Sequence, residues 1–220
     1  MNVVSEAKSR IEEAKKESHI TTGKVRKISA ALYKEVEDKG IDNILKLSEE
    51  LLQERSWALG VIAYDWAFRV RDQYTEKTFS TFEHWLKDYV RDWGDCDDFC
   101  THALGALVSQ YNHLFENVLQ WTEDPDFWVR RGAAVSLIYP IKKDKYDDIN
   151  PLLVSDRLLQ DDHYLVLKGY GWMLKVLSQQ EPERVFEYLK KHKETMPRVA
   201  FRYGLEKLSK DKRETLMQKE

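Results

Sequence analysis

Apolar residues recur along this chain at i, i+3, i+4 and i+7 in one segment after another. The stretches ISAALYKEV, NILKLSEELL, WALGVIAYDWAFRV, TFEHWLKDYV, FCTHALGALV, NHLFENVLQW, WVRRGAAVSLIY, LVLKGYGWMLKVL, RVFEYLKKH and VAFRYGLEKL all carry this pattern. That spacing lays one apolar stripe along an α-helix, whereas a half-buried strand would alternate. No convincing alternating stretch occurs. The pattern predicts an all-α chain of roughly eleven to thirteen helices. Asp42, Asp126 and Asp162 are placed to cap helix N-termini, and Pro125, Pro151, Pro182 and Pro197 to mark starts or breaks.

The helical segments resemble one another. SWALGVIAYDWA, FWVRRGAAVSLIY and YLVLKGYGWMLKVL each open with an aromatic, carry small residues at the centre and end apolar. Arg131-Gly132 and Lys168-Gly169 stand 37 residues apart, with Phe127/Tyr164 and Leu137/Leu174 in the same register. A period of about 36–38 residues built from paired helices is the signature of a HEAT-type solenoid. Each pair cannot bury its face alone, so neighbours stack and the array curves. The expected fold is an α-α superhelix with a concave groove. It forms a single HEAT-like repeat domain over residues 1–220, with an N-terminal helix at 1–23 and a frayed C-terminal tail at 209–220. The second helices, which would line the groove, carry Trp57, Asp97, Arg131 and Trp172.

Composition fits this reading. Apolar residues make up 42% of the 220, enough for a sizeable core, and 33% are charged, as long solvated helix faces require. Nine glycines and five prolines supply little material for the turns of an all-β fold. The formal net charge is −3, but it is unevenly spread. Residues 71–126 hold 4 basic and 12 acidic groups, and residues 127–220 hold 19 basic and 14 acidic groups. The C-terminal half therefore offers a basic face to phosphate. Cys96 and Cys100 are too few for a disulfide framework, which points to an intracellular, cytoplasmic protein. With His102 they make three potential zinc ligands where a structural site wants four, so they read as small buried thiols and no metal is expected. No apolar run approaches the ~18 residues needed to span a bilayer. The opening MNVVSEAKSRIEEAKKE has acids and no apolar core of a signal peptide. A monomer is expected.

Residues 90–101, VRDWGDCDDFCT, crowd four acids beside Trp93. Trp93 and Asp97 lie about one helical turn apart. Such a cluster serves the helix dipole at an N-terminus, or else one of its acids is used. Trp128-Val-Arg130-Arg131 offers two adjacent arginines that point about 100° apart, so only one faces a groove squarely. Gly169-Tyr170-Gly171-Trp172 puts two glycines inside a helix at about 1 kcal/mol each. That cost implies close helix packing or close approach of a ligand. Lys168, Lys175, Arg198, Arg202 and Lys207 are further cations able to follow a phosphate backbone or simply to be solvated.

Taken in order, Trp93-x-x-x-Asp97, Trp128-x-x-Arg131-x-Ala-Ala and Gly171-Trp172-x-Leu-Lys175 resemble the motifs of the HEAT-like-repeat DNA alkylation repair glycosylases of the alkylpurine glycosylase D type. The segment Met196-Pro-Arg198-x-x-x-Arg202-Tyr203-x-x-Glu206-Lys207-Leu208 is similar to that family's last helix, and the likeness covers residues 24–208. The resemblance implies hydrolysis of the N-glycosidic bond of cationic N3- and N7-alkylated purines in double-stranded DNA. No cofactor takes part, and the base is not flipped into a pocket. By match, Asp97 is the catalytic carboxylate, Trp93 and Trp172 pack against the lesion's deoxyribose, and Arg131 holds backbone phosphate. Arg130, Lys168, Lys175, Arg198 and Arg202 join it as DNA contacts. Two features depart from the family: no aromatic precedes Tyr33, and the net charge is acidic. They leave a second reading open, a catalytically silent HEAT-repeat binding module for protein or nucleic acid.

Overall fold

Why the repeat register works is visible in where helices begin. In the computed structural model, which describes residues 2–218, helices open at Trp57, Trp93, Phe127, Tyr164 and Arg198, at spacings of 36, 34, 37 and 34 residues. Three of these five first residues, Trp57, Phe127 and Tyr164, are the aromatic openers expected from the sequence. The described residues are all helix and connection, with no strand. The ends of the N-terminal and tail segments expected above, Met1 and residues 219–220, lie outside them.

Residues 1–103 form one compact unit. It contains α1 (Val3–Glu17), α2 (Thr22–Glu35), α3 (Ile41–Gln53), α4 (Trp57–Arg69), α5 (Thr78–Asp88) and α6 (Trp93–Phe99). Helix α4 is its centre and packs on α2, α3 and α6. Nine of its thirteen residues are buried, which follows from an apolar run broken only by Asp65 until its C-terminal Arg69. An aromatic core gathers around it. Tyr64 stacks on Phe99 with centroids 4.9 Å apart, and Phe82 meets Phe99 edge-on at 5.3 Å. The indole N–H of buried Trp66 donates to the Ser29 carbonyl at 3.2 Å, so its polar edge is satisfied.

Residues 104–220 form the second compact unit. It contains α7 (Gly105–Gln110), α8 (Phe115–Gln120), α9 (Phe127–Val135), α10 (Ile138–Lys142), α11 (Pro151–Leu158), α12 (Tyr164–Gln180), α13 (Pro182–Lys191), α14 (Arg198–Leu205) and α15 (Lys210–Met217). Helix α12 is the hub and packs on α9, α11, α13 and α14. Its contact with α14 is close because of a glycine. A Cβ on Gly171 would stand 2.9 Å from Tyr203 Cβ and 3.0 Å from Ala200 Cα. Helix packing therefore accounts for Gly171. Gly169 does the same for α9, since its Cβ would fall 3.2 Å from Arg131 Cγ.

The end signals were read partly right. Pro151 and Pro182 open α11 and α13, Pro197 caps α14, and Asp126 caps α9 by accepting from the Trp128 N–H. Asp42 and Asp162 do not cap. Gly40 holds the cap position of α3, with Asp42 in the first turn, and His163 caps α12 through its ring nitrogen. Nor is Lys210–Met217 a frayed end. Helix α15 buries Leu216, and Lys212 pairs with Glu183 of α13. Among the described residues no helix is long and apolar enough to cross a membrane.

Candidate functional site

The acidic cluster divides its work among its members. Asp92 is the N-cap of α6, and its Oδ1 accepts the Asp95 N–H at 2.9 Å. Asp95 turns towards α4, with Oδ1 3.5 Å from where a Cβ of Gly60 would stand. Burial there pushes its carboxyl up to about 6, and the charges of Asp92 and Asp98 add to the effect. The buried Tyr64 hydroxyl nearby has no hydrogen-bond partner among the described residues, and its ionisation is driven well above the usual phenol range by burial first and Asp95 next.

Asp98 faces a different way. Its Oδ1 accepts from Arg26 of α2 at 2.6 Å and lies 3.3 Å from His102 Nδ1. Oδ2 is buried with no hydrogen-bond partner among the described residues. Burial raises the Asp98 carboxyl, while Arg26 and His102 pull it down. Directly after α6 the helix widens into a π-turn at Cys100–Leu104, a feature frequent at functional sites. Thr101 Oγ1 donates to the Asp97 carbonyl at 2.6 Å and tightens the turn that carries Asp97. Cys96 and Cys100 are fully buried, as small thiols, with Sγ atoms 4.0 Å apart.

Asp97 is partly exposed and lines an open pocket of about 520 Å³ together with Trp57, Trp93, Asp92, Arg26 and His102. Trp93 is 65% exposed and Trp57 is 39% exposed. A folded chain normally hides most of an indole, so two exposed in one pocket mark a surface suited to contact. Trp93 is thus not an anchor in the core. A helical turn explains the pairing: residues four apart share a face, which puts Asp97 beside Trp93.

The remaining sequence-predicted residues lie in the second unit. Arg131 is buried and donates through a terminal nitrogen to the Leu165 carbonyl at 2.5 Å. Arg130 is held in a fork by Asp161, at 2.6 Å from Nε and 3.2 Å from a terminal nitrogen. It also donates to the Asp124 and Pro125 carbonyls. Lys168, Trp172 and Lys175 are partly exposed on one face of α12, and Lys175 pairs with Glu206 at 2.7 Å. Arg198 and Arg202 are exposed one turn apart on α14.

Sequence reasoning missed Arg26 and Asp98 as neighbours of the pocket. Nothing local signals a pair 72 residues apart. The unbalanced run of acids was the one available hint that a cation had to arrive from elsewhere.

Comparisons with known proteins bear on this site. The family model described as DNA alkylation repair enzyme matches residues 11–208. A solved structure described as a predicted DNA alkylation repair enzyme from Enterococcus faecalis has the same fold, with a TM-score of 0.60 and 18% identity over 76% of this chain and 85% of that one. No curated protein matches. A family match over nine-tenths of the sequence, on a helical fold that a relative shares, settles the lineage: the chain belongs to the DNA alkylation repair enzyme family.

Proposed function

We propose that the chain is a monofunctional DNA glycosylase. It would hydrolyse the N-glycosidic bond of cationic N3- or N7-alkylated purines in duplex DNA and leave an abasic site. The observation that carries this reading is the open pocket that Asp97 lines together with exposed Trp93 and Trp57. Its openness suits a lesion approached in the duplex, without flipping the base into a cavity.

The chemistry follows from the substrate's charge. An alkylated purine is already cationic, so when the C1′–N bond breaks its electron pair neutralises the ring and no general acid is needed. Positive charge then develops on the deoxyribose. Asp97 stabilises that oxocarbenium and orients the water that attacks C1′, and the water's proton passes to the carboxylate or to solvent. The indole face of Trp93 favours the same cation by about 0.5–2 kcal/mol. The motif resemblance gives Trp172 a similar place against the sugar. It gives Arg131 a phosphate contact, with Arg130, Lys168, Lys175, Arg198 and Arg202 as further DNA contacts. Both arginines are already engaged, Arg131 in a buried hydrogen bond to the Leu165 carbonyl and Arg130 by Asp161, so a phosphate has to compete with these partners. No metal or organic cofactor enters this scheme, the protein acts as a monomer, and the compartment is the cytoplasm.

A second reading, a non-enzymatic binding module, is favoured by one observation. Asp92, Asp97 and Asp98 line the pocket against only Arg26 and His102. That balance is not one a polyanion seeks.

Release of 7-methylguanine from methylated duplex DNA separates the two. Wild type should release the base, and Asp97→Asn should lose about a hundredfold to a thousandfold in rate, as when one transition-state stabilising group is removed. No release by wild type at low salt, with no duplex binding, establishes the binding module.

A further inference from the structure

Helix α12 opens with Tyr164, which is 56% exposed. At 100° per residue, Tyr164, Lys168, Gly171, Trp172 and Lys175 fall within one stripe along the helix. Lys168 Nζ lies 4.8 Å from the centroid of the Tyr164 ring and 6.0 Å from that of Tyr203 on α14. Tyr203 reaches it because Gly171 lets α14 close to backbone distance. Lys168, Arg198 and Arg202 form no ion pair among the described residues. In a chain of net charge −3 that leaves cations without local neutralisation along α12 and α14.

We propose that Tyr164, Lys168 and Tyr203 form a clamp for the backbone of duplex DNA, in which the two rings hold the ammonium ready for a phosphate and the Tyr164 face packs on the adjoining sugar. This rests on DNA being the substrate, as proposed above. The rings restrain a side chain that otherwise loses much rotamer freedom on binding, so the ammonium pays less entropy when a phosphate arrives. Trp172 and Lys175 continue the alternation of aromatic and base along the same stripe, and interleaved stacking surfaces and cations are how proteins follow a nucleic-acid strand. Glu206, the C-cap of α14, pairs with Lys175 of the stripe. Asp162 stands exposed before the first turn of α12.

The test measures binding to undamaged duplex against salt, and base release in the same preparations. Lys168→Gln should lower the slope of log affinity on log salt by about 0.9, the share of one phosphate contact. Tyr164→Ala should weaken duplex binding about three- to thirtyfold with the slope nearly unchanged. Tyr164→Phe should bind as wild type, because the ring does the holding. If base is released, KM should rise in the alanine variant and kcat should stay. Normal binding and slope in Lys168→Gln and Tyr164→Ala overturn the clamp while base release still supports the glycosylase. Weakened binding in both variants with no base release by wild type supports the clamp and removes the glycosylase. No duplex binding by wild type removes both.

Discussion

Asp95→Asn should stabilise the protein at neutral pH and do little in acid. Burial against α4 holds the native Asp95 carboxyl at about 6, above the ordinary 3.8. Between those values the native state keeps a proton that the unfolded chain has released. Stability contributed by Asp95 is therefore fully present below about pH 4, falls as pH rises through about 6, and is flat beyond. A shift of about two units corresponds to about 3 kcal/mol, and solvent reaching the partly exposed carboxylate reduces this to about 2 kcal/mol. Asparagine keeps an oxygen to accept the backbone N–H of Arg91 but cannot ionise, so it escapes the whole loss. The variant's advantage over wild type should grow by about 2 kcal/mol from pH 4 to pH 7.5. For a chain of this size that is a difference of about 4–8 °C in Tm. Thermal unfolding at both pH values, with a carboxyl-carbon NMR titration of Asp95, measures it. An Asp95 that titrates near 4, or a variant whose advantage is equal at both pH values, refutes the reasoning.

Other expectations concern single contacts. Gly171→Ala should destabilise by about 1–2 kcal/mol in denaturant unfolding, since overpacking against the α14 backbone outweighs the gain of about 1 kcal/mol in helix propensity. Gly23→Ala, whose new methyl meets nothing nearer than 4.0 Å, should show no loss at all. Arg130→Ala should cost about 3 kcal/mol in the same assay, because it strands Asp161, whose side chain is 6% exposed. Arg26→Met should cost about 1–2 kcal/mol, and Asp98→Asn added to it should restore part of that, as a double-mutant cycle would show.

Much of the fold was written in the spacing of apolar residues. A helix buries one stripe, so period alone betrays it, and an aromatic opening residue marked the starts of α4, α9 and α12. Helix caps were less legible. Asp42 and Asp162 have the right chemistry, but the cap is decided by which residue leaves the helical backbone conformation, and that depends on the preceding connection. The tail after Ser209 carries only Leu216 and Met217 as apolar residues among charges, too few to betray docking, and the burial of Leu216 is a tertiary fact.

The pocket followed the same division. Sequence alone put Trp93 and Asp97 on one face, because four residues make about one turn of helix. It determined an all-α chain of repeated helices and picked out the pair of residues on which the proposed chemistry turns. Only the tertiary structure decided which acid is which. Asp95 is raised by lying against Gly60 and Tyr64 of α4, Asp98 is held by Arg26 of α2, and Asp97 lines the pocket together with Trp57 and Trp93. The physical reason is range. Periodicity and capping act between residues a few positions apart, whereas desolvation and charge depend on whatever distant segment the fold brings within a few ångströms.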